Sequence, residues 1–132
     1  MFRAAAIVTL SVMCGSCDTL YSVSASGRTD ALLGQTCVLE TLRSESAVHS
    51  ALAREHGTIA VELNIPESVI SGPEDYPHPV IGVYMRKDRD GPCEIELTML
   101  SVNRRPSAGY EAYIQKVLDE LRNRIIERCG SS

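Results

Sequence analysis

Five cysteines and three histidines carry the widest chemistry in this chain, and their spacing limits what they could do. Cys14-Gly15-Ser16-Cys17 has the spacing of a redox dithiol, but it follows directly on an apolar N-terminal run and belongs with it. Cys37, Cys93 and Cys129 lie far apart, and three is an odd number, so one thiol is left over from any pairing. Cys93 has no cationic neighbour in sequence to make it a thiolate nucleophile. None of His49, His56 and His78 pairs with another at metal-ligand spacing, and solvent exposure is the default for each. The serines at 22, 24, 26, 44, 46 and 50 sit in turn-like contexts without a G-x-S-x-G elbow. Asp88-Arg89-Asp90-Gly91, with Glu94 behind it, holds the D-x-D-G core of calcium loops, but the bidentate Glu near position twelve is absent. Asp and Gly are also what a hairpin turn selects. The residues therefore predict neither an enzyme nor a resident metal or cofactor.

Two features suit recognition better than catalysis. Arg86-Lys87-Asp88-Arg89 and Arg104-Arg105 are basic clusters that could meet anionic head groups or an acidic partner, or could simply be solvated turn residues. Residues 66–79 (PESVISGPEDYPHP) hold four prolines and form a long irregular loop. Such loops on a rigid scaffold often carry binding, or are simply tolerated insertions. Within this one, Tyr76 is the candidate anchor, with Glu74, Asp75 and His78 beside it.

Composition narrows the field further. At 132 residues the chain is long enough for one domain and too short for two. A hydrophobic share of 44% argues against wholesale disorder. The net charge of −4 argues against nucleic acid as a partner, and with no Trp and one Phe there is little to stack on bases.

The N-terminus reads as an address. Arg3 precedes an uncharged run from Ala4 to Met13. That run would be ~15 Å long as a helix, half of a ~30 Å hydrocarbon core, so it is too short to span and suits a signal peptide. Gly15, Ser16 and Cys17 follow. The segment resembles the signal sequence of bacterial membrane lipoproteins, in which an apolar residue and two small residues precede the modified cysteine; Cys14 stands where those signals carry Leu, Val or Ile. The resemblance implies cleavage before Cys17, a diacylglycerol thioether on its sulfur and an acyl chain on its new amine. It also implies a periplasm-facing membrane location, and Asp18 resembles an inner-membrane retention signal. From the residues alone, a secretory signal cut after Ser16, or a buried N-terminal helix, would also account for the run. Either kind of signal places the rest of the chain in an oxidising compartment.

The elements that must position these groups follow in order. Residues 1–16 are the signal, and 17–30, rich in Ser, Thr, Asp and Gly, read as a lipidated flexible tether; Leu20, Tyr21 and Val23 could instead form a short edge strand. A small domain is expected over 31–132. Its first helix spans about 31–45, with Leu32, Leu33, Val38, Leu39 and Leu42 as its stripe; Gly34 weakens the first turn, so a later start with Thr36 as N-cap and Cys37 in the first turn is the alternative. Residues 47–57 fit either more helix or a strand turning at His56-Gly57, with the strand favoured. Ile59, Val61, Leu63 and Ile65 alternate with polar or small residues as a half-buried strand does. Strands at Val80–Arg86 and Cys93–Val102 flank an Asp90-Gly91 hairpin turn. A long amphipathic helix follows, capped by Ser107 and ended at Gly130, with Glu120 and Arg124 as an i, i+4 pair. The fold class predicted is α+β: a two-layer sandwich of an antiparallel sheet of three to four strands and two helices, in the order helix–strands–helix.

Antiparallel helices on one sheet face would bring Cys37, at the start of the first, to Cys129, at the end of the last. A Cys37–Cys129 disulfide is therefore expected, with Cys93–Cys129 or three reduced thiols as the alternatives. The chain also resembles small uncharacterised gammaproteobacterial lipoproteins, such as those of xanthomonads. The shared features are Cys37-Val38 opening a helix, Leu100 to Ser107 (Leu-x-x-Asn-Arg-x-Pro-Ser) ending a strand, and Arg128-Cys129-Gly130 ending the last helix. That likeness implies the same pairing and brings no activity. The function expected is a non-catalytic binding or assembly module of the cell envelope, held to the bilayer through acylated Cys17 and meeting an envelope protein. An inhibitor-like module that blocks a periplasmic enzyme with loop 66–79 is the alternative.

Overall fold

Alternating burial along the strands explains the architecture. In the computed structural model, which describes residues 21–87, 89, 91–99 and 104–130, five strands form one antiparallel sheet. The signal segment 1–16, Cys17, the start of the tether, Asp88, Asp90 and positions 100–103 lie outside the described residues.

The chain runs through β1 (Ser24–Thr29), α1 (Gln35–Arg43), β2 (Val48–Ala53), β3 (Ile59–Leu63), β4 (Val80–Lys87), β5 (Cys93–Met99) and α2 (Ala108–Cys129). The strand order is β1-β5-β4-β3-β2, so β2 to β5 form a meander and β1 joins its far side. Ile59, Val61 and Leu63 face inward with Ile81 and Val83, and Cys93, Ile95, Leu97 and Met99 share the same face. Both helices cover that face: α2 packs on β1 and β5, α1 on β2 and β3, and the two helices touch. Helix α2 contributes Tyr110, Ile114, Val117, Leu118, Leu121 and Ile125 to the core. Burial of such a stripe, rather than helix propensity, is what holds an amphipathic helix in place. The fold is α+β, as its alternating patterns predict.

Three expectations need correction. The sheet has five strands rather than three or four, and the order opens with a strand rather than a helix. The extra strand is β1, inside the stretch expected to be tether. Val23 and Ala25 point into the core while Ser24 and Ser26 face out, and every residue of β1 is in register with β5, from Ser24 opposite Thr98 to Thr29 opposite Cys93. The physical reason is that β5 would otherwise be an open edge under α2. Helix α1 starts at Gln35 with Gly34 as its N-cap, so it begins neither near residue 31 nor after a Thr36 cap. Gln35 Nε2 donates to the carbonyls of Arg54 and Thr58, which ties the helix start to the β2–β3 turn, and Leu32 precedes the helix with 69% of its surface exposed.

The expected pairing Glu120–Arg124 also gives way. Arg124 reaches across to Glu45, just beyond α1, at 3.3 Å. Arg128 likewise donates to Ser44 Oγ at the C-terminal end of α1.

Candidate functional site

Asp75 organises the end of the molecule where α2 begins. Its side chain is 4% exposed, and its carboxylate accepts from both the amide (2.9 Å) and the hydroxyl (2.6 Å) of Ser107. It also accepts from the amides of Ser71 and Gly72 in its own loop. Ser107 is the N-cap of α2, and its oxygen accepts from the Tyr110 amide. A carboxylate from the distant loop thus completes the cap, where free N–H groups favour negative charge. Burial alone raises the Asp75 pKa, but the Ser107, Ser71 and Gly72 hydrogen bonds outweigh it and hold the carboxyl at about 2.

The rest of loop 66–79 is pinned as firmly. Tyr110 donates its phenol proton to the Tyr76 carbonyl at 2.8 Å. Burial, with the nearby Asp75 charge, pushes that phenol up to about 12, so it stays a donor. The Leu63 and Ile65 amides donate to the carbonyls of Pro79 and Pro77. His78 meets the Leu63 carbonyl through Nδ1, which must therefore carry the proton. Its ring stacks on His49 with centroids 4.3 Å apart. His49 sits where the β2–β3 register shifts, and such irregularities re-aim side chains. Sequence spacing could not reveal this histidine pair, because its partners lie on separate elements.

Of the four expected loop residues, only Tyr76 offers its side chain freely, at 53% exposure. Asp75 is a structural clasp, Glu74 pairs with Arg104 at 3.5 Å, and His78 is held by Leu63 and His49. Asp75 as a binding residue is therefore corrected: its oxygens are already occupied. Beside the loop, Arg105 pairs with Glu111 at 3.2 Å and lies 5.2 Å from the centre of the Tyr21 ring. Hydrogen bonding with Glu111 raises the Tyr21 phenol and lowers the Glu111 carboxyl.

The uncovered sheet face is the second candidate surface. Leu52, Val80 and Tyr84 are its exposed large apolar residues. The Tyr84 ring lies against Gly82, where an added Cβ would come 2.6 Å from the phenol oxygen, so the glycine makes room for the ring. Beside it, Arg28 and Arg86 both pair with Glu94, at 3.3 and 2.9 Å, around a depression of about 600 Å³. The Lys87 ammonium donates to the Gly91 carbonyl. Arg86, Arg104 and Arg105 thus spend charge on carboxylates within the molecule, which favours solvated turns over an anion-binding patch.

Cys37 and Cys129 form a disulfide with Cα atoms 5.9 Å apart, and Cys93 is a buried free thiol. Among the described residues, no group of three or more His, Cys, Asp or Glu could hold a metal ion, and no helix is long and apolar enough to cross a membrane. The Asp88 and Asp90 carboxylates of the D-x-D-G run, and Cys17, lie outside the described residues.

No family model matches the chain, and no curated protein does. Among solved structures the chain is similar to Ara h 8.0201, at 9% identity over 81% of this chain and 95% of that one, with a TM-score of 0.42. It is also similar to TTHA0849 from Thermus thermophilus, at 14% identity over 81% of this chain and 98% of that one, with a TM-score of 0.43. Likeness at this level carries no function across.

Proposed function

We propose that this protein is a lipid-anchored, periplasm-facing module of the cell envelope that binds or assembles with another envelope component and catalyses nothing itself. The observation that carries the reading is the Cys37–Cys129 disulfide. Such bonds form and persist in oxidising compartments, which is where the N-terminal address would deliver the chain. Cys17 supplies the anchor: its acyl chains hold the protein at the bilayer, and two or more such chains hold where one does so only marginally. Asp18 favours the inner membrane. The exposed Leu52, Val80 and Tyr84 support an assembly role, since they leave apolar surface for a partner to cover. The inhibitor-like alternative has one observation in its favour, a pinned loop that presents Tyr76.

Fractionation of cells tests the anchor. Cys17→Ala is expected to move the protein from the membrane to the soluble fraction, and membrane association that survives the substitution would refute lipid attachment. Crosslinking in intact cells, followed by purification, then reads out the partner. A soluble periplasmic enzyme trapped through Tyr76 would favour the inhibitor-like alternative.

A further inference from the structure

The described chain begins at Tyr21, and Tyr21 belongs to one pole of the molecule. Its ring lies beneath Arg105, and it shares hydrogen bonding with Glu111 in the first turn of α2. Two residues on, the Val23 carbonyl accepts from the Met99 amide, so the chain enters the sheet from this end. Loop 66–79 occupies the same pole, through Asp75 on Ser107 and Tyr76 on Tyr110. The other pole is marked by the far end of α2, where the Thr29 hydroxyl donates to the Gly130 carbonyl and Cys129 joins Cys37. The 22 residues of α2 separate the two poles by about 33 Å.

Because Tyr21 already packs at this pole and β1 follows it within the expected tether, only Asp18, Thr19 and Leu20 separate Cys17 from that pole. Four peptide links reach at most about 14 Å fully extended, less than half the pole-to-pole distance. We propose that this short link docks the Tyr21 pole on the bilayer, with the exposed Tyr76 ring in the lipid head-group zone. The inference rests on the lipid-anchor reading above. The occupant is the bilayer surface itself, and zwitterionic head groups suffice. Arg104 and Arg105 are already matched by Glu74 and Glu111, so the pole has no strong demand for anionic lipid. A tyrosine ring, apolar in body and polar at its tip, suits such an interface. Loop 66–79 then faces the membrane and is withheld from soluble enzymes, while the opposite pole faces the compartment.

The absence of tryptophan from the sequence makes a direct test possible, because one introduced indole is a unique reporter. Tyr76→Trp and Leu32→Trp change exposed side chains at opposite poles. Each full-length acylated protein is reconstituted into phosphatidylcholine vesicles that carry bromine on the acyl chains near the head groups. Flotation and fluorescence are both recorded. Docking predicts that both proteins float, that the Tyr76→Trp indole is blue-shifted and quenched, and that the Leu32→Trp indole is neither. Floating proteins with no quenching in either variant, or equal quenching in both, would overturn the docked pole and leave the anchor standing. Proteins that do not float would remove the anchor, and the orientation with it.

Discussion

Asp75 looks in the sequence like one more acidic residue in an exposed, proline-rich loop, and it proves to be one of the two buried polar side chains among the described residues. Its value lies in joining that loop to the cap of α2 through charge-assisted hydrogen bonds, each typically worth more than a neutral one. Asp75→Ala is expected to cost about 2–3 kcal/mol, because Ser107, Ser71 and Gly72 lose their acceptor together. Urea denaturation would measure it. The pH dependence has a definite sign. The folded carboxyl, at about 2, titrates below its ordinary value of 3.8. Its contribution is complete above the unfolded value and is lost as pH falls from about 4 towards 2. Asp75→Asn keeps the volume and one acceptor while removing the titration, so it should flatten that part of the acid-stability curve. A variant with the same acid slope as the parent would show that the carboxylate is not what stabilises the cap. A run of Ser, Gly, Pro and Asp could have signalled a side-chain turn at Ser71–Asp75, since Asp accepts from nearby amides. Nothing in sequence links residue 75 to residue 107.

Periodicity decides which elements the sequence announces. The β3 alternation and the α2 stripe are legible because each buries one face along its whole length, and Ser107 and Gly130 punctuate the helix where capping chemistry expects them. The strand favoured within residues 47–57 is present as β2, and the chain turns after it at His56-Gly57. Strand β1 is only partly legible: the sequence allows a short edge strand at Leu20, Tyr21 and Val23, but β1 runs from Ser24 to Thr29, where only Ala25, with Val23 just before it, reaches the core among polar residues and glycine. Its place is fixed by tertiary partners: Gln115 and Arg122 of α2 donate to the Ser24 and Ser26 carbonyls. On the opposite edge, Arg43 of α1 donates twice to the Ala51 carbonyl. Helix side chains thus occupy backbone acceptors on both outer strands, one way to blunt pairing with another chain. The β2–β3 turn offers a local test. His56 and Gly57 have φ of 58° and 75°, and the Thr58 amide donates to the Glu55 carbonyl, as in a type I′ hairpin. Gly57 suits the left-handed region and His56 tolerates it less well. His56→Asn, which gives the favoured Asn-Gly pair, should raise stability by about 0.5–1 kcal/mol in thermal or urea unfolding. A neutral or destabilising result would mean that the turn stores no strain at this position.

At the scale of the whole molecule, one covalent bond joins the two helices that the sheet holds side by side. Cys37 and Cys129 are 92 residues apart, so their bond closes most of the domain into a single loop. That pairing is legible because each cysteine sits at a helix end and the layered fold brings those ends together, whereas the buried position of Cys93 on β5 has no comparable signal. In the chain-entropy account, a loop of this size withholds about 4–5 kcal/mol of freedom from the unfolded state. Small domains have only about 5–15 kcal/mol of stability in total, so the folded population depends strongly on the redox state of the compartment. The paired replacement of Cys37→Ser with Cys129→Ser should lower the urea midpoint by an amount equivalent to about 4–5 kcal/mol under oxidising conditions. Adding reductant to the parent protein should bring it down to the same midpoint, because the bond and not the sulfur packing is what differs. Peptide mapping without reductant ties the loss to this pair. If the parent and the double variant unfolded together under oxidising conditions, the bond would contribute nothing measurable, and stability would no longer connect this fold to an oxidising compartment.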